Sequence, residues 1–223
     1  MRNVPPDKYN VAWFKLAECV SRGEKERALG VYRLLAHSLN DSAFARQLQG
    51  DILLSFNDTN SAIDHYRMSA SLYQQDERFL EAAAIYEHIV VLVPDKREYL
   101  IKLIELYTVL QIPSKLLTYA QTLAALLLAQ DDLPGVQALV DLLTVHIEGT
   151  SVVKLRQQLV VAWAQKNEPL TETIVEHIKK VVADLLITDE VGALQRFITM
   201  LQTFNQDYYI LAAAAVHDGA LAT

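Results

Sequence analysis

Six histidines, His37, His65, His88, His146, His177 and His217, are the residues of this 223-residue chain best suited to metal or proton chemistry. A zinc site asks for ligands a turn apart on one helix, as in HExxH, and none of the six stands in such a pair. Each reads as a helix-surface or hydrogen-bonded histidine, and no metal is expected. The single cysteine, Cys19, excludes an internal disulfide and a multi-cysteine metal site. It falls on an apolar helix face, where a thiol is buried and inert. No GxGxxG, P-loop or GxSxG pattern is present, so phosphate cradles and nucleophile elbows have no support. Carboxylates are plentiful, but none is marked by apolar surroundings as one of an acid–base pair. Glu81 and Glu87, on either side of Tyr86, read as solvent-facing. The expectation is a protein with no catalytic residues and no cofactor.

Composition narrows the class further. Hydrophobic residues make up 52% of the chain, with only 7 Gly and 6 Pro. An all-β chain of this length needs many more turns, so the low Gly and Pro content predicts long helices with short connections. The formal net charge is −7. Residues 1–50 carry 8 basic and 5 acidic side chains, against 12 and 22 in residues 51–223. Without a dense basic stripe to neutralise phosphates, nucleic acid is not an expected partner. No stretch is long and apolar enough to insert in a membrane, and the N-terminus lacks the apolar core of a signal peptide. A cytoplasmic protein is expected.

Apolar residues recur at three- and four-residue spacing along nearly the whole chain, which predicts about twelve helices. They fall near 8–21, 24–39, 42–56, 59–74, 77–92, 96–110, 113–129, 132–147, 150–166, 169–186, 189–204 and 206–220. Local chemistry marks the breaks. Gly23 suits a helix end, Asn40-Asp41-Ser42 supplies an N-cap, and Pro94 ends a helix because it lacks a donor. Pro113 and Pro134 suit first helical turns. Connections this short make neighbouring helices antiparallel.

The hairpins also repeat. Ala70-Ser71-Leu72-Tyr73, followed by Phe79, Ala82, Tyr86 and Pro94, sets a small residue and an aromatic on one helix against Ala, an aromatic and an exit proline on the next. A shift of 34 residues aligns Ala36, Ala70, Ile104 and Ala138, then Leu39, Tyr73 and Tyr107, then Tyr32, Tyr66 and Leu100. The chain thus resembles the tetratricopeptide repeat family. The fourth copy departs from it, with Pro134 and Asp141 in place of large apolar residues. A competing register runs through Gly50, Leu53, Ala62 and Tyr66. Constant direction of the first helices favours the register of Ala36, Ala70 and Ile104.

The resemblance implies an all-α, right-handed α-solenoid of antiparallel hairpins, one domain over 1–223. The repeats are clearest in 29–130, with an N-terminal cap helix in 1–28 and degenerate repeats and capping helices in 131–223. It further implies a scaffold or adaptor that binds a peptide or helix of a partner protein on its concave face. The family's groove positions carry over to Arg33, His37, Asp64, Arg67, Ser71, Gln74, Glu98, Ile101, Glu105 and Thr108. The carboxylate clamp of the co-chaperones of the large heat-shock chaperones is not expected. Its Asn position holds His37, Ser71 and Glu105 here, or Asp51 in the competing register. The alternative function is a structural subunit, using the apolar C-terminal run from Tyr208 to Val216 for permanent docking or for a homodimer.

Overall fold

The computed structural model describes residues 6–147, 149–188 and 192–221, with side chains from residue 11 to 218 in those ranges. The described residues form twelve α-helices and no strand. They are α1 (Pro6–Ser21), α2 (Lys25–Ala36), α3 (Ser42–Ser55), α4 (Thr59–Gln75), α5 (Phe79–Leu92) and α6 (Arg97–Val109), then α7 (Pro113–Ala129), α8 (Leu133–His146), α9 (Val153–Gln165), α10 (Glu172–Thr188), α11 (Ala193–Phe204) and α12 (Gln206–Leu221). The chain is all-α, as its composition requires. The helices gather into two compact units, divided after Gln111. That division falls inside the stretch the repeat pattern treats as one array.

In the N-terminal unit each helix packs on the next, from α1 to α6. The cap of α3 and the end of α1 are those expected from sequence. Asp41 accepts from the Phe44 amide at the start of α3, and Asp58 from the Ser61 amide at the start of α4. Gly23, at φ +71°, ends α1 in the left-handed conformation that glycine adopts without a Cβ penalty. The helix expected to run to residue 39 stops at Ala36. There the Ser38 hydroxyl and amide both donate back to the Leu35 carbonyl, and residues 39–41 are needed to enter the next cap.

Ion pairs then tie alternate helices together. Lys25, at the start of α2, meets Asp58, the N-cap of α4, at 2.8 Å. Arg78, the N-cap of α5, meets Asp41, the N-cap of α3, at 2.6 Å, and also holds Glu81 at 2.9 Å. Its guanidinium lies 4.4 Å from the centroid of the Tyr73 ring. Hydrogen bonding to Arg78 holds the Asp41 carboxyl below the usual carboxylate range. Helices α2 and α4, and likewise α3 and α5, are therefore staked side by side at their N-termini.

Helices α3 and α4 approach closely. Gly50 is buried, and a Cβ built on it would stand 2.6 Å from Tyr66 Cε1. Tyr66 has no free volume to retreat into: its ring is fully buried, with the His88 ring edge-on at 5.0 Å. Its hydroxyl donates to Asp51 at 2.7 Å, and burial raises its pKa above the ordinary phenol range. Buried Ser69 donates to the Ala43 carbonyl across the same contact. Further along α4, Ala70 and Tyr73 are also buried, and the Tyr73 hydroxyl donates to Gln47 of α3 at 3.3 Å.

The C-terminal unit is knit differently. Helix α9 packs against α7, α8, α10 and α11, and α12 lies on both α10 and α11. Tyr208 and Ala212 of α12 are buried, and the Tyr208 hydroxyl donates to the Glu168 carbonyl at 3.0 Å. Burial pushes that phenol up to about 12. The first turn of the apolar C-terminal run is thus held inside its own chain.

Gly50→Ala is expected to destabilise the protein by about 1–3 kcal/mol, because a well-packed contact must be forced apart. Gly30→Ala, with nothing within 4 Å of the added Cβ, is expected to leave stability unchanged or raise it by up to about 1 kcal/mol. Thermal and urea unfolding followed by circular dichroism at 222 nm (about the helix minimum) separates the two.

Candidate functional site

A groove of about 700 Å³ lies on the α4 face of the N-terminal unit, lined by Arg46, Asp64, Arg67, Met68, Ser71, Leu72 and Tyr86. The α4 residues reach it because the helix buries Ala62, Ile63, Tyr66, Ser69, Ala70 and Tyr73. At 3.6 residues per turn that leaves Asp64, Arg67, Met68 and Ser71 on the opposite, exposed face. Arg46 arrives from α3, beside Tyr32 and His65, whose titration it affects. Tyr86 arrives from α5, where its neighbouring charges are Lys102, Arg67 and Glu105. The Tyr86 and Tyr99 rings sit 6.3 Å apart, and Tyr99 in turn faces Glu98, Arg67 and Asp64.

These neighbourhoods bring the α4 and α6 positions carried over from the tetratricopeptide pattern onto one side. Asp64, Arg67 and Ser71 line the groove itself. Glu98 and Glu105 border it through Tyr99 and Tyr86. Ile101 is exposed on α6, while Gln74 and Thr108 are half-buried and Thr108 spends its hydroxyl on the Ile104 carbonyl. Arg33 and His37 are exposed at α2 and its end, and they share no hydrogen bond or ion pair with the α4 set. Arg46 and Tyr86 were absent from the sequence-derived set. Both come from flanking helices, so only the packing of α3 and α5 on α4 reveals them.

Within the groove the charges are unequally occupied. Lys102 is held by Glu105 at 2.7 Å. Arg67 is 3.7 Å from Asp64, an ion pair but longer than a hydrogen bond, with both side chains mostly exposed. Arg46 has no ion-pair partner among the described residues. Glu87, expected to face solvent, instead accepts a 2.7 Å hydrogen bond from the Tyr107 hydroxyl of α6 and is half-buried.

A second polar cluster stands in the C-terminal unit. Arg156 of α9 and Asp184 of α10 are both buried and paired at 3.0 Å, and Arg156 also donates to the Thr144 hydroxyl at 2.6 Å. Beside them His177 is buried, its ring edge-on to Trp163 at 5.4 Å and its Nε2 3.6 Å from Asp141. The Nδ1 of His177, like that of His65, is buried without a hydrogen-bond partner. This corrects the reading of both as surface or satisfied histidines. Helical periodicity sets His177 on the face of Ile174, Ile178 and Val181, which α10 must bury. Burial lowers the pKa of both rings below the ordinary value of 6.5. A cavity of about 560 Å³ opens here, lined by Asp141, Thr144, Arg156, Glu176, His177 and Lys180 among others. Among the described residues no group of three His, Cys, Asp or Glu side chains is arranged to hold a metal ion.

Comparison with solved structures returns a chain titled "MamA RS-1 ArsTM double mutant", with 17% identity over 84% of this chain and 99% of that one, at a TM-score of 0.28. Likeness at that level is too loose to transfer anything from that chain to this one. No protein-family profile and no curated protein matches the sequence. The site is therefore read from its own geometry.

Two outcomes test the C-terminal cluster. Removing one partner leaves a buried uncompensated charge, so Asp184→Asn is expected to cost roughly 3–5 kcal/mol, and Arg156→Leu with Asp184→Leu to recover most of it. Urea titrations of the three proteins give the comparison. Because the folded state disfavours protonated His177 and His65, the unfolded chain binds more protons as pH falls. Stability is expected to decline as pH drops through 6.5 and to level off below the lowered folded pKa values. His177→Phe should shrink that decline, and an unchanged pH profile would remove His177 as its source.

Proposed function

We propose that this chain is a non-catalytic, tetratricopeptide-like module that holds another protein, with the groove on α4 as its docking surface. The observation that carries the reading is the exposed α4 face. Met68, 45% exposed, stands with Leu72 among Arg46, Asp64, Arg67 and Ser71. An exposed thioether beside unequally paired charges serves folding poorly and partner binding well: it is adaptable apolar surface with polar groups to set orientation. The volume suits a peptide strand or one face of a helix. An acidic chain without a basic stripe suits protein partners rather than nucleic acid. No helix among the described residues is long and apolar enough to cross a membrane.

The C-terminal unit supports a second reading, a subunit built permanently into an assembly or a homodimer. Leu186, Ile187, Met200, Phe204 and Ile210 remain exposed there. Light scattering reporting a permanent dimer would favour it over the groove.

Arg33→Glu combined with Arg67→Glu is expected to reduce capture of specific partners at least several-fold while leaving the melting temperature within about a degree, since both side chains are exposed. Quantitative affinity purification of the wild-type and double-variant chains from the native cell measures this. An identical partner list at identical abundance would sink the groove assignment.

A further inference from the structure

The Tyr86 hydroxyl differs from those of four other buried tyrosines of this unit. Tyr32 donates to the Ala45 carbonyl, Tyr66 to Asp51, Tyr73 to Gln47 and Tyr107 to Glu87. Tyr86 is only 7% exposed, lines the groove, and has no hydrogen-bond partner among the described residues. The hydroxyl is not one of the buried orphan polar atoms, which are the Nδ1 atoms of His65 and His177, so its tip opens on the groove where an incoming acceptor can reach it. The charges point the same way. Two guanidinium groups line the groove, Arg46 without a carboxylate and Arg67 with only the distant one of Asp64. Lys102 and Glu105 nearby cancel each other. The lining thus holds two guanidinium groups against one carboxylate, with Glu98 at its border, and Arg46 is the cation without an ion-pair partner among the described residues.

We propose that the groove takes an acidic–apolar segment of a partner protein, with side-chain carboxylates meeting Arg46, Arg67 and the Tyr86 hydroxyl and apolar side chains resting on Met68 and Leu72. The inference rests on the protein-holding reading above and names the chemistry of the partner. Side-chain carboxylates, rather than a chain end, fit because the two arginines come from different helices and a chain end brings only one carboxylate. Asp64 acts as an internal competitor that the incoming acid displaces from Arg67. Neutral and basic segments are disfavoured because they leave Arg46 unpaired in a half-buried position.

The test uses the full chain and fluorescein-labelled peptides, capped at both ends, in which Leu alternates with Glu, Gln or Lys, read by fluorescence anisotropy. The Leu–Glu series is expected to bind tightest, and to weaken with salt as exposed charges are screened. Arg46→Gln and Arg67→Gln should each weaken it roughly tenfold, and Tyr86→Phe by several-fold. Asp64→Asn should tighten it, a sign that no unfolding effect can mimic. Arg46→Glu should move the preference toward the Leu–Lys series. Equal binding of the Leu–Gln or Leu–Lys series to the wild-type chain overturns the acidic preference while leaving the holding role, which is read from partner capture, intact. Binding only of a Leu–Gln peptide with a free C-terminal carboxylate overturns the side-chain source. Binding of no series overturns the inference.

Discussion

The contact on which the N-terminal unit depends is the ring of Tyr66 lying on the bare backbone of Gly50. It sets how closely α3 and α4 approach, and the ring is pinned on its other sides by His88 and by the hydrogen bond to Asp51. With the ring fixed, the rotation of α4 about its axis is fixed too. Ala70 and Tyr73 then face inward, while Asp64, Arg67, Met68 and Ser71 face out. The Arg78–Asp41 pair sets α5 beside α3 at their N-termini, and so brings Tyr86 to the edge of the exposed face. The exposed α4 face that lines the groove thus lies away from the face packed on Gly50.

Tyrosine is the side chain that makes this packing work. Each buried phenol supplies a large apolar ring for a helix seam and needs one acceptor at its tip. In Tyr32, Tyr66, Tyr73 and Tyr107 the acceptor comes from a neighbouring helix, so these bonds act as cross-ties between consecutive helices as well as satisfying a polar atom. Tyr86 has the same ring burial and no such tie. Its tip opens on the groove instead, where an acceptor from outside the chain can reach it. The buried Arg156–Asp184 pair of the C-terminal unit makes the contrasting case, since its charges answer each other.

Much of the fold was legible because helices announce themselves locally. Spacing of apolar residues located the helices, and Asp41, Gly23, Pro113 and Pro134 behave at helix ends as their chemistry dictates. Cys19 is buried, as its face implied. The site was legible only in part. The α4 positions Asp64, Arg67 and Ser71 were carried over from the tetratricopeptide resemblance, and all three are exposed on one helix face. Arg46 and Tyr86 were not, because their place in the groove is set by how α3 and α5 lie on α4. Glu87 was misread for the same reason, its partner Tyr107 being 20 residues away on another helix. The buried ring of His177 and the half-buried one of His65 escape a sequence reading too, since histidine is equally at home on a surface. The division after Gln111 leaves no mark in a helical period that continues through it.

The central claim, that partners dock on the α4 face of the N-terminal unit, is tested most directly by two methionines of nearly equal exposure. Met68, at 45%, lies in the groove, and Met200, at 40%, lies on the apolar face of the C-terminal unit. Hydroxyl-radical footprinting of the full chain, alone and bound to a partner recovered by affinity capture, reports the oxidation of each. Protection of Met68 with Met200 unchanged is the predicted result; protection of Met200 with Met68 still oxidised at the free rate would contradict the account.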